Sequence, residues 1–208
     1  PRGRQAGTVR WDGRSHDIAV VASVIEAARS GHRAPADALR MHRRRAAAGR
    51  LVLLVVDTSG SMGARDRLTR TRAALRSVLD RVYVSRDRVA LQAFRAGRAE
   101  LVVAPRRGVG AARAAIEALP TGGGTPVESA LRGAARLLRR VQAERPGESS
   151  LLVLVTDGRT RDSVRAAATE VGALATQTMV LDTEAGATRL GRARQIAAWL
   201  GASYEAIG

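Results

Sequence analysis

The stretch LVLLVVDTSGSMGARDRL, residues 51–68, sets six apolar residues directly against Asp57-Thr58-Ser59-Gly60-Ser61. An unbroken run of Leu and Val of this length is the pattern of a strand covered on both faces. At its carboxyl end Asp57, Ser59 and Ser61 stand at alternate positions. In extended backbone, residues i, i+2 and i+4 project to one side, so these three oxygen-bearing side chains can converge on one point. A helical pattern follows: over residues 66–82, Leu68, Ala74, Leu75, Val78, Leu79 and Val82 form one apolar stripe.

Strands and helices alternate through the rest of the chain. RVALQAF (88–94) and AELVVAP (99–105) read as short strands joined by a hairpin at residues 95–98. VGAARAAIEALP is a predicted helix ending at Pro120, and VESALRGAARLLRRVQAE is another. SLLVLV (150–155) is a second buried strand, closed by Thr156-Asp157-Gly158 and followed by a predicted helix over about residues 161–175. TQTMVLDT then reads as a strand, LGRARQIAAWLG as a last helix and ASYEAI as an edge strand. This order predicts an α/β doubly wound sheet, mostly parallel, with one antiparallel hairpin strand. Ligands of such folds gather at the carboxyl ends of the strands, so Asp57 and Asp157 are expected on one rim.

Between the two carboxylates lies LPTGGGTPVE, residues 119–128. Its three glycines permit turns closed to other residues, and Pro126 suits the first turn of the helix that follows. Thr125 therefore has two possible roles, a helix cap or a hydroxyl presented at the rim. Glu128 falls inside the helix, where solvation or a capping contact is expected. Asp57, Ser59, Ser61, Thr125 and Asp157 together offer five oxygen-bearing side chains and no nitrogen or sulfur donor. Such a set favours a hard divalent cation, with Mg²⁺ the leading candidate and Mn²⁺ or Ca²⁺ the alternatives.

Composition narrows the classes. The chain has 208 residues, enough for a substantial core, and no cysteine, which excludes disulfides, thiolate metal sites and cysteine nucleophiles. No run approaches the ~18 apolar residues of a membrane span, and no signal peptide is visible, so a cytoplasmic location is expected. The formal charge is +16, and all 35 basic residues are Arg. Without Lys there is no Walker A motif and no Schiff-base lysine. With aromatic residues at 2%, a base-stacking platform is hard to assemble, and an acidic protein partner accounts for the charge more simply than nucleic acid.

Residues 1–50 form a basic N-terminal extension, separate from a domain over 51–208. They hold eleven Arg against Asp12, Asp17, Glu26 and Asp37, and all three His, at 16, 32 and 42. SHDIAVVASVIEAARSG reads as a helix with Ser15 as its cap and Gly31 as its stop. Arg40 to Arg45 reads as a basic connector. The histidines lack metal-ligand spacing and read as surface residues. Since the chain opens on Pro1, a fragment of a longer protein is expected.

DTSGS, GGGTP and TDG, in that order on a βα framework, resemble the metal-ion-dependent adhesion site of von Willebrand factor A domains, which have a Rossmann-like three-layer sandwich. LVLLVVDTSGSM, RDRVALQAFRAGRAELVVAPRRGV, ALPTGGGTPVESAL and LLVLVTDGRTRD are more narrowly similar to the C-terminal domain of magnesium-chelatase D-type and cobaltochelatase-like subunits. The resemblance implies that Ser59, Ser61 and Thr125 bind the metal directly, while Asp57 and Asp157 act through metal-bound waters. An ion held by neutral hydroxyls keeps much of its charge and attracts an anionic ligand, for which a partner's Asp or Glu is suited.

The function this implies is a metal-dependent docking domain, itself non-catalytic, of an AAA+-driven chelatase that inserts Mg²⁺ or Co²⁺ into a tetrapyrrole. Its implied partners are an AAA+ ATPase subunit and the large catalytic chelatase subunit. No general base accompanies the five residues, and no His follows His42, which argues against independent hydrolysis. Two alternatives stand beside this reading: a general A-domain adaptor of another AAA+ machine, and a nucleic-acid module.

Overall fold

The computed structural model describes residues 4–10, 40–45, 49–59, 64–85, 87–95, 98–119, 122, 124–161, 163–185 and 190–207. The chain divides into two compact units, Pro1–Ala48 and Gly49–Gly208. In the first, β1 (Arg4–Arg10) pairs antiparallel with β2 (Arg40–Arg45), Val9 opposite Met41 and Thr8 opposite His42. The segment expected as a connector is thus a strand. Its charge run misleads because a ladder is made by backbone groups, which arginine does not remove. The expected helix at residues 15–31, with His16 and His32, lies outside the described residues.

The second unit is a six-stranded sheet in the order β5-β4-β3-β6-β7-β8. Its strands are β3 (Arg50–Asp57), β4 (Arg88–Arg95), β5 (Arg98–Arg107), β6 (Ser149–Thr156), β7 (Gln177–Asp182) and β8 (Ser203–Ala206). All neighbours run parallel except β4 and β5, whose ladder closes with Arg95 opposite Arg98, the expected hairpin. The helices are α1 (Ala64–Ser85), α2 (Gly110–Glu117), α3 (Val127–Glu144), α4 (Arg165–Leu174) and α5 (Arg192–Leu200).

The apolar run of β3 is explained by its place at the centre. Leu51 through Val56 are fully buried. Leu51, Leu53 and Val55 pack with α3, α4 and α5 residues such as Leu131, Ala168 and Ile196. Val52, Leu54 and Val56 pack on the other face with Leu75 and Leu79 of α1 and Ile116 of α2. Alternate side chains thus feed two cores, giving helix, sheet and helix layers.

The winding reverses at β3. The chain moves outward through β4 and β5, then returns to place β6 on the other side of β3. The crevice beyond the carboxyl ends of β3 and β6 is therefore the switch point where such sheets bind ligands. Two helices start or stop differently from expectation. The one predicted from about 161 begins at Arg165, after a turn in which Asp157 Oδ1 accepts the N–H of Arg159 at 3.0 Å. The one predicted to reach Pro120 ends at Glu117.

Candidate metal-ion site

Asp57 is the last residue of β3 and stands half-buried at the switch point. Its Oδ1 accepts the backbone N–H of Ser59 at 2.9 Å and the Ser59 hydroxyl at 2.5 Å. Its Oδ2 accepts the hydroxyl of Thr156, the last residue of β6, at 2.8 Å. Ser59 Oγ lies 2.6 Å from Thr125 Oγ1. A serine hydroxyl has one proton, and Ser59 gives it to Asp57, so Thr125 is the donor in that pair. One lone pair of Ser59 and both of Thr125 are left unused by these bonds.

Backbone contacts hold these side chains in place. The loop after β3 is tied to β4 by Thr58 N–H donating to the Phe94 carbonyl at 3.1 Å. The glycine loop is tied to the same segment by Gly122 N–H donating to the Thr58 carbonyl at 3.0 Å. Gly122 has φ 124, a conformation that glycine alone takes without strain. This tether sets Thr125 opposite Ser59. The Thr125 side chain does not cap α3, whose start has no side-chain cap. Glu128 instead pairs with Arg132 one turn on, at 2.7 Å.

Asp157 follows Thr156 and is buried. Its charge acts on Asp57 through space and helps raise the Asp57 pKa. Burial is the larger cause, and with it the carboxyl is pushed up from 3.8 to about 6, although the hydrogen bonds from Ser59 and Thr156 pull the other way. Gly158, at φ 70, closes the turn, and its N–H donates to Thr156 Oγ1 at 3.0 Å. A Cβ there would stand 2.4 Å from the backbone nitrogen of Ala193, so only glycine lets this turn meet α5.

The structure thus brings Asp57, Ser59, Thr125 and Asp157 to one rim. Ser61 lies outside the described residues. Sequence reasoning missed Thr156, whose hydroxyl joins the two strand ends. A threonine closing an otherwise apolar buried strand needs a hydrogen-bond partner, but nothing in the sequence names Asp57 as that partner.

Do these residues fit a divalent cation? At the opposite end of the sheet, buried acids have arginine partners: Glu148 with Arg88 at 2.8 Å, and Asp87 with Arg50 at 2.8 Å. Asp57 has no ion-pair partner among the described residues, in a chain with 35 basic residues, and its carboxyl titrates high. A positive charge is what the cluster lacks. The donors are all oxygen, as a hard cation requires. No group of three or more His, Cys, Asp or Glu suited to a metal occurs among the described residues, so any ion here depends on the hydroxyls.

Residues 52–159 match the von Willebrand factor type A domain family. The chain belongs to that family. The chain is 37% identical over 160 residues to an uncharacterized protein of Mycobacterium tuberculosis, an alignment covering 74% of this chain and 25% of that protein. It is 33% identical over 189 residues to the magnesium-chelatase 67 kDa subunit of Chlorobaculum tepidum, covering 81% of this chain and 30% of the subunit. The matched region is therefore less than a third of these relatives' length. The SpRpn10 VWA domain superposes with TM-score 0.60 at 11% identity, covering 76% of this chain and 87% of that one, a likeness of fold. Among the described residues no helix is long and apolar enough to cross a membrane.

Proposed function

We propose that this A domain is a metal-dependent docking module associated with a chelatase, and that it captures an acidic side chain of a partner through a divalent cation. Ser59, Thr125 and Ser61 would hold the ion, Mg²⁺ before Mn²⁺ or Ca²⁺, with Asp57 and Asp157 behind them fixing hydroxyls and ion-bound water. The ion would supply an electrophilic coordination position for a carboxylate, without chemistry on a substrate. One observation carries this reading: Asp57 is gripped by hydroxyls of Ser59 and Thr156, yet has no arginine partner among the described residues. The similarity to a magnesium-chelatase subunit supports the wider setting. There the partners would be an AAA+ ATPase subunit and the large catalytic subunit, acting on a tetrapyrrole.

Affinity capture of partners by the full-length protein, with Mg²⁺ or with EDTA, tests this. Asp57→Ala should remove the Mg²⁺-dependent captured fraction while circular dichroism remains that of a folded domain. Thr125→Ala should weaken capture about tenfold, the loss of one favourable contact. Capture that is indifferent to both EDTA and Asp57→Ala would refute the docking role.

A further inference from the structure

A cleft of about 80 Å³ opens beside the candidate metal site, lined by Gly158, Thr160, Arg165, Arg192, Gln195 and Trp199 among others. It starts one residue from Asp157, at the glycine that closes the turn. It is far smaller than the ~300–1,000 Å³ of a small-molecule site, but large enough for one side chain.

Its electrostatics are one-sided. Arg165 is the first residue of α4 and Arg192 the first of α5. Neither has an ion-pair partner among the described residues, and none of the described lining residues is acidic. The start of a helix is its positive end, where a cation is disfavoured. Two unpaired arginines thus raise an already positive potential around one cleft. Arg159, next to it, is engaged elsewhere, 4.0 Å from Asp157 and 3.7 Å from Glu184. Arg165 and Arg192, both exposed, are the arginines that line the cleft and face an incoming anion.

We propose that this cleft is a second contact point for the acidic partner, receiving a further carboxylate of the same segment between Arg165 and Arg192, with its methylene groups against Trp199. The partner segment is then diacidic, one acid at the metal and one in the cleft. The choice of partner rests on the docking function above, whereas the cleft's charge stands independently of it. Two partly exposed charge pairs correspond to about tenfold in affinity.

The chain has two tryptophans, so Trp11→Phe leaves Trp199 as the sole indole reporter. In that background, Trp199 emission would be titrated with two blocked glycine–serine peptides. One carries a single aspartate, and the other adds a glutamate two, three or four positions away. With Mg²⁺, the best diacidic peptide should bind about tenfold tighter than the monoacidic one, with a shift in Trp199 emission. Arg165→Ala with Arg192→Ala should erase that difference and leave Mg²⁺-dependent monoacidic binding intact.

Equal affinities for the two peptides, unaffected by the double variant, would overturn the cleft and spare the metal site. Diacidic binding that needs both arginines but is the same in EDTA would keep the cleft and sink the metal-bridged reading. No saturable Trp199 response to any diacidic peptide overturns the cleft outright.

Discussion

Replacing Asp57 by Asn should make the metal-free domain more stable at neutral pH while abolishing its response to Mg²⁺. The Asp57 carboxyl titrates near 6 in the folded chain against 3.8 for the ordinary group. Folding therefore favours the protonated form. The stability this gives is fully present below pH 3.8 and is lost as pH rises through about 6, because the unfolded chain releases the proton more easily. A shift of this size, at about 1.4 kcal/mol per pH unit, amounts to roughly 3 kcal/mol at neutral pH. Asparagine keeps the shape and an oxygen that accepts from the Ser59 N–H and hydroxyl, but carries no charge to desolvate. Its amide N–H can donate to Thr156 Oγ1, whose own proton then turns away.

Urea unfolding in EDTA at several pH values reads this directly. Other carboxylates titrate in the same range, so the informative quantity is the variant minus wild-type difference. It should be near zero at pH 4, grow at up to about 1.4 kcal/mol per unit, and level off above about pH 6 at no more than about 3 kcal/mol. Adding Mg²⁺ at pH 7.5 should raise the wild-type midpoint by mass action, by about 1.4 kcal/mol at tenfold over Kd, and leave the variant unmoved. A variant less stable than wild type at pH 7.5 in EDTA, or a difference that ignores pH, would refute the claim that Asp57 is a carboxylate awaiting a cation.

Thr156→Val should cost about 1–3 kcal/mol, since it strips a donor from Asp57 and an acceptor from the Gly158 N–H, while Thr156→Ser should restore most of it in the same urea assay. Gly158→Ala should lower stability by about 2–4 kcal/mol and weaken Mn²⁺ binding by calorimetry, because the φ of 70 and the Ala193 backbone both resist a Cβ. Wild-type affinity in that variant would mean that the turn does not position Asp157.

The parts of this protein that could be read in its sequence are those whose physics is local or periodic. The β3 run could be read because both its faces are buried, and α3 because its stripe is long and regular; its bounds match the expected VESALRGAARLLRRVQAE. Asp57 and Ser59 could be read together because they are two residues apart on extended chain. Thr156 could not. A threonine at a strand end is ordinary β chemistry, and its contact to Asp57 spans 99 residues and depends on β6 lying beside β3. Arg165 and Arg192 belong to separate helices, and in the sequence each is one arginine among many. The strand at Arg40–Arg45 was hidden for another reason. Charge there masked a pairing that the backbone makes.

The distribution of arginine also bears on the function. Where an acid closes the amino-terminal end of this sheet, the chain places a guanidinium on it: Arg88 on Glu148, Arg50 on Asp87. At the carboxyl rim it places hydroxyls on Asp57 and turns Arg159 toward Asp157 and Glu184 at distances too long for a hydrogen bond. An arginine on Asp57 would neutralise the carboxylate and block the approach of an ion. The hydroxyls leave its charge uncancelled and add lone pairs that a cation can use. The guanidiniums of Arg165 and Arg192, without an ion-pair partner among the described residues, stand instead at the cleft beside Gly158, one residue from Asp157. A surface arranged in this way repels a second basic protein and favours an acidic one. A metal ion would strengthen that preference, because it adds positive charge beside Arg165 and Arg192.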